Sequence, residues 1–135
     1  MKDPSMQRRT VASGSPFEPR IGFSRAVVAG HHVAVSGTAP IAADGRPPAD
    51  AYGQAKRCLE IIAAALEEAG AGVRDVVRTR TYLVDAADWE DVGRAHGETF
   101  GEVRPASSMV VVSALLDPLW LVEMEADAII DVTPI

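Results

Sequence analysis

From Leu121 to Ala128 the chain alternates without a break, with Val122, Met124, Ala126 and Ala128 on one side and Leu121, Glu123, Glu125 and Asp127 on the other. Successive side chains of a strand point to opposite faces, so this segment reads as a strand with one apolar face and one face carrying three acids. Such a strand belongs in a sheet covered on one side by an apolar layer and facing water or a polar surface on the other. The rest of the chain must supply the neighbouring strands and the cover.

The cover is legible between residues 50 and 70. Ala55, Cys58, Leu59, Ile62, Ala65, Leu66 and Ala69 recur at the period of one helix face, while Lys56, Arg57, Glu60, Glu67 and Glu68 form the wet side. Asp50 is suited to cap the N-terminus and Gly70 to end the helix. A second helix is expected from a cap at Asp88 to about Phe100, with Trp89, Val92, His96 and Phe100 on one stripe. Gly93 and Gly97 weaken it locally or let something pack close. Strands are expected over Arg8–Ala12, Arg20–Val28, His32–Ser36, Val76–Val84, Ser107–Leu115 and Leu119–Ile130, from their β-branched content and bounding turns. Ala29-Gly30-His31 makes a hairpin turn, Ser13-Gly14-Ser15-Pro16 is turn chemistry, and Gly37–Pro48 reads as a loop.

The order β-β-β-α-β-α-β-β predicts an α+β single domain, one mixed six-stranded sheet with two helices on one face. Residues 1–7 are expected to be a disordered tail and residues 8–135 the domain. No segment remains to cover the opposite sheet face, so other copies of the chain are the expected cover.

At 135 residues one domain can bury a real core. The 13 Lys and Arg against 19 Asp and Glu leave a net charge of −6, which repels phosphate backbones and argues against nucleic acid as a partner. The lone Cys58 suits a reducing compartment, no run approaches the ~18 apolar residues of a membrane span, and the N-terminus lacks a secretory core. A cytoplasmic protein with no membrane partner is expected.

Candidate chemistry is sparse. The three acids of the last strand form either a solvated face or, if one sits in a pocket, a group whose pKa burial raises for proton transfer. His96 on its apolar stripe reads as a core or interface residue before a catalytic one. His31 and His32 are adjacent and face opposite ways, and no cluster has metal-ligand spacing, so neither metal nor cofactor is expected. Cys58 on the buried stripe is a small hydrophobe. Arg78 and Arg80 share a face with Tyr82, as exposed charge or as a hold on an anion or a subunit. Ser107 and Ser108 follow Pro105 without a nucleophile elbow, and no phosphate-binding glycine loop is present.

Five stretches in order resemble the Rid family of reactive intermediate deaminases, which also carries the YjgF and endoribonuclease L-PSP labels. They are Ile21–Val27, Val35-Ser36-Gly37-Thr38-Ala39-Pro40, the helix Gln54–Gly70, Asp75–Leu83, and Arg104–Val110 leading into Val122-Glu123-Met124-Glu125-Ala126. The resemblance runs from about Thr10 to Ala128. It implies a chorismate-mutase-like fold of the bacillary type and a homotrimeric barrel with the helices outside. Three clefts between subunits would each bind a small-molecule metabolite.

In active members an arginine after Pro-Ala on the penultimate strand holds the substrate carboxylate bidentately. Water near a glutamate on the last strand attacks an imine or enamine carbon and ammonia leaves. The resemblance places that glutamate at Glu125. The aromatic after Ile-Gly falls at Phe23, followed by Ser24 and Arg25, and the Ser-Gly of the loop at Ser36-Gly37. The position two beyond the arginine falls at Met109. The arginine itself falls at Ser107, the family's asparagine on the second helix at Gly93, and its tyrosine at Phe23. The chain thus resembles the branches without the arginine, a loss on the order of 2–5 kcal/mol of carboxylate binding. Arg25 or Arg80 could replace the anchor, and Ser108, Met109 and His96 complete the candidate binding residues. The resemblance implies enamine or imine deamination. The alternative is a trimer that binds a metabolite without turning it over. RNA cleavage conflicts with the negative charge and the lack of a basic aromatic patch.

Overall fold

A computed structural model describes residues 7–133 and residue 135; the tail expected over residues 1–7 therefore lies, but for Gln7, outside the described residues. Its strands are β1 (Arg8–Val11), β2 (Ala26–Ala29), β3 (His32–Thr38), β4 (Val76–Leu83), β5 (Ala106–Val111) and β6 (Val122–Ile129), with helices α1 (Ala51–Glu68) and α2 (Trp89–Phe100). They form one six-stranded sheet in the order β1-β2-β3-β6-β4-β5. All neighbours are antiparallel except β4 and β5, which run parallel because α2 carries the chain back between them.

Both helices lie on the apolar face that β6 predicts. Val33, Val122, Met124 and Ala128 meet Cys58, Leu66, Val92 and Ala95, all at or near complete burial. The Asp50 carboxylate accepts from the Gly53 amide at 2.7 Å and caps α1 as expected. At the other end Gly70, at φ 86°, lets the Ala71 amide reach back to the Leu66 carbonyl at 2.8 Å. The Arg9 guanidinium, reaching from β1, donates to the Ala69 carbonyl at 2.7 Å and the Glu68 carbonyl at 3.3 Å. A cation thus sits where the helix dipole is negative. The two helices are joined by the Arg94 guanidinium, 3.9 Å from the Tyr52 ring centre, and by the Tyr52 hydroxyl, which donates to Glu98 at 2.6 Å.

Gln54 is a buried polar staple on the inner side of α1. Its amide nitrogen donates to the carbonyls of Pro48 and Leu119, both at 3.0 Å, and its oxygen accepts from the Leu121 amide at 2.7 Å. This fixes both the loop before α1 and the entry into β6.

Five expectations are corrected. Residues 20–25 are not strand: Glu18–Gly22 form a π-helical turn and β2 begins only at Ala26. Pro19 is pre-set for a helical first turn, and Gly22 at φ 90° breaks extension. Asp88 makes no side-chain cap on α2. Asp85 instead accepts from the Ala87 amide at 2.9 Å and caps a 3-10 turn, Ala86–Asp88, that leads into the helix. β3 does not stop at Ser36. It continues to Thr38 through a bulge, because Val35 pairs with Ala126 while Thr38 pairs with Met124. The strands at Ser107 and Leu119 are also shorter than expected, at Ala106–Val111 and Val122–Ile129.

Candidate functional site

The bulge in β3 creates the first cluster of expected site residues. It opposes two residues, Ser36 and Gly37, to Glu125 alone, so Val35 and Thr38 both stay buried under α1. The Ser36 hydroxyl donates to the Ser24 carbonyl at 2.6 Å, and its amide donates to the Arg25 carbonyl at 3.0 Å. The Arg25 guanidinium donates to the Thr38 hydroxyl at 2.6 Å, which donates in turn to the Ser36 carbonyl at 2.8 Å. Phe23 stands at the end of the π-helical turn before this cluster. Phe23, Ser24, Arg25, Ser36 and Gly37 are therefore one unit.

Glu123 completes it. A Cβ added at Gly37 would lie 2.6 Å from its Oε2, so the carboxylate rests directly against the glycine backbone. Among the described residues it accepts no hydrogen bond. Burial, with the Glu125 charge next to it, pushes its pKa above the ordinary carboxylate value, and the nearby Arg25 cation opposes this. A half-buried carboxylate that still holds a free acceptor can position a water and take its proton.

Glu125 has a different setting. Its Oε1 accepts from the Tyr82 hydroxyl at 3.0 Å and from Arg80 at 3.3 Å, and Arg80 also donates to Asp127 at 3.2 Å. Asp127 lies 3.4 Å from His32. The open sheet face thus carries one cation threaded between two acids. Arg80 is committed to this network, while Ser108 accepts from Arg78 at 3.0 Å. Arg25 is likewise engaged by Thr38, so neither arginine stands beside Ser107.

Ser107 belongs to a third group, on the helix side of the edge strand. It pairs in register with Thr79, whose hydroxyl donates to Ser107 Oγ at 2.8 Å and lies 2.8 Å from His96 Nε2. His96 packs against Phe100 with ring centres 4.8 Å apart and planes tilted by 45°, and burial pulls its imidazole pKa below the ordinary value. Met109 follows two residues on, and Gly93 lies one helical turn before His96 where, among the described residues, nothing outside its own helix backbone lies within 4 Å of where a Cβ would be. Leu83, Ala86, Trp89, Met109, Val110 and Val111 line an open apolar hollow of about 320 Å³ at the same edge.

Within one chain the expected residues fall into these three groups. Ser107 and Met109 lie on the helix side and Glu123 and Glu125 on the open side, so one chain does not assemble them around one ligand. Sequence reasoning missed two members. Thr79 reads as an ordinary β-former, since its partner Ser107 is set by a parallel register. Glu123 shares its face with Glu125 in the alternation, and only the bulge separates their surroundings. Cys58 is buried, as its stripe predicts, and its thiol is pushed up to about 12 by burial. Among the described residues no three His, Cys, Asp or Glu side chains converge on a metal position. No described helix is long and apolar enough to cross a membrane.

Comparison with known proteins gives a consistent picture. The family model described as Endoribonuclease L-PSP matches residues 14–130. A RutC family protein of Pyrococcus abyssi is 40% identical over 125 residues, covering 91% of this chain and 98% of the relative. The crystal structure of a Mycobacterium tuberculosis member of the YjgF/YER057c/UK114 family shares 45% identity and superposes with a TM-score of 0.85. It covers 92% of this chain and 100% of that one. Escherichia coli TdcF, crystallised with bound serine, shares 27% identity with a TM-score of 0.76, covering 90% of this chain and 93% of that one.

Proposed function

Because the chain belongs to the Endoribonuclease L-PSP family, with relatives under the RutC and YjgF names, we propose that it binds a small metabolite in clefts between subunits of a homotrimer and hydrolyses reactive imines or enamines there. In this reading the open sheet faces of three copies form the barrel interior. The bulge unit of one subunit meets the β5 edge of the next, which would unite the groups that a single chain keeps apart. The serine found in the TdcF structure supports a ligand of amino-acid size.

The observation that carries the reading is the Glu123 carboxylate, half-buried against Gly37 with its pKa held up and its acceptor free. It suits the step: the carboxylate takes a proton from water as the water oxygen bonds to the imine carbon. The nitrogen is protonated and leaves as ammonia when the carbinolamine collapses to the carbonyl. The resemblance alone points to Glu125. Its hydrogen bonds to Tyr82 and Arg80 suit a structural charge in the barrel better, so Glu123 is the acid we assign to water. Ser107 in place of the family arginine favours a second reading, a trimer that holds its ligand without turnover.

The test is release of ammonia from imines made in place by an amino-acid oxidase, with wild type, Glu123→Gln and Glu125→Gln, and light scattering for the assembly. Hydrolysis abolished by Glu123→Gln and kept by Glu125→Gln supports the assignment, and the reverse pattern returns the role to Glu125. No acceleration by wild type, with ligand binding intact, leaves the binding trimer. A monomer would overturn the shared cleft.

A further inference from the structure

The chain Ser107–Thr79–His96 has no place in the mechanism above, yet it occupies the position that the resemblance gives to a carboxylate-binding arginine. Thr79 is 1% exposed and its hydroxyl is the hub, 2.8 Å from both Ser107 Oγ and His96 Nε2. Ser107 is the exposed end, on the edge strand of the sheet. No hydrogen bond or ion pair among the described residues brings a charged group to any of the three.

Such a chain is neutral and reversible. With the proton on His96 Nε2, the imidazole donates to Thr79, Thr79 donates to Ser107, and the Ser107 hydroxyl is free to donate outward. With the proton on Nδ1 every bond reverses, and Ser107 Oγ accepts from outside. The burial that lowers the His96 pKa keeps the chain uncharged at neutral pH. It can therefore satisfy a carbonyl, amide or hydroxyl, but it cannot neutralise a carboxylate. A carboxylate seated there would be desolvated without a free counter-charge, because the Arg25 that the next subunit's bulge unit would bring is held by Thr38 beside the Glu123 carboxylate, and this is strongly unfavourable.

The neighbours continue the pattern. On α2, Trp89, Gly93 and His96 fall within one angular sector, and on β5 Ser107, Met109 and Val111 share a face. The polar chain and the hollow lined by Leu83, Ala86, Trp89 and Met109 thus lie along the same α2–β5 edge, with Gly93 on the helix and Met109 on the strand between them.

We infer that Ser107, Thr79 and His96 make this cleft selective for ligands that present an uncharged carbonyl or amide head with an apolar side chain, in place of the free carboxylate of an amino acid. The inference rests on the proposed cleft and specifies its substrate class. Thr79 and His96 are positioning residues that act through Ser107.

The test is calorimetric binding to the intact wild-type assembly of two stable probes of equal shape, 4-methyl-2-oxopentanamide and 4-methyl-2-oxopentanoate. Binding of the amide about tenfold or more tighter than the acid is expected, as for a site built to pair a neutral polar group. Ser107→Arg should reverse the preference. His96→Phe should lower amide affinity about tenfold while His96→Gln, which keeps a donor and an acceptor, should restore most of it. That rescue is not expected if His96 serves packing alone. Equal binding, or tighter binding of the acid, overturns the inference. Imine hydrolysis without binding of either probe overturns the inference and leaves the proposed function standing. Absence of both binding and hydrolysis removes both.

Discussion

Replacing Gln54 by methionine removes three hydrogen bonds from a side chain that is 1% exposed, while changing its volume little. Each such bond contributes about 0.5–1.5 kcal/mol net, and the groups left behind are the carbonyls of Pro48 and Leu119 and the Leu121 amide. The two carbonyls belong to loops that water can reach, so the loss should fall near 2–3 kcal/mol. For a domain of this size that is on the order of 6–15 °C in melting temperature. Gln54→Glu should be worse at neutral pH, because it sets a charged acceptor against two carbonyl oxygens. The assay is urea unfolding at one fixed protein concentration, since assembly couples to stability. The midpoints should rank wild type, then methionine, then glutamate, with an unchanged slope for methionine. A methionine variant within about 0.5 kcal/mol of wild type would refute the view that this staple holds the entry into β6.

Three further outcomes are expected. Because the folded-state pKa of Glu123 is raised, its favourable contribution is present below the ordinary carboxylate pKa and is lost as pH rises through the folded value. Glu123→Gln should therefore unfold at higher urea than wild type at pH 7.5, with the gap closing below about pH 4.5; a variant that is less stable at pH 7.5 contradicts this. Gly37→Ala has an ordinary backbone to accept it but drives its Cβ to 2.6 Å from Glu123 Oε2. Hydrolysis should fall about tenfold or more as the carboxylate swings away, while stability changes by less than ~1 kcal/mol; unaltered kinetics would detach Glu123 from the chemistry. The Cys58 thiol, pushed up to about 12 by burial, should resist iodoacetamide at pH 8 in the native protein and react once unfolded, as read by mass spectrometry.

The sheet and its cover are legible because both rest on periodicity. The alternation of β6 and the stripe of α1 each place their residues correctly, and the hairpin turn at Gly30 links β2 to β3. What escapes is set by contacts distant in sequence. The turn at Glu18–Gly22 overlaps a segment whose Val and Ile content reads as strand, and Asp88 reads as the cap until the 3-10 turn capped by Asp85 is seen. Candidate site residues can be named from the sequence, but their arrangement cannot be read from it. No local pattern tells Glu123 from Glu125, or marks Thr79 as the link between Ser107 and His96, since one depends on the bulge and the other on a parallel register.

The sheet order also has a consequence for how the chain is made. β6 lies between β3 and β4, yet it is the last of the six strands to leave the ribosome. At about 5–20 residues per second, the β1–β3 hairpins and α1 exist for seconds with the inner edge of β3 unpaired, and β4 with its α2–β5 return is equally incomplete. Neither half can close its core alone, because Met124 and Ala126 fill the space under the helices. Folding should wait for the final strand and then proceed in one step. A nascent chain stalled before residue 122 is the species most exposed to mispairing and chaperone capture.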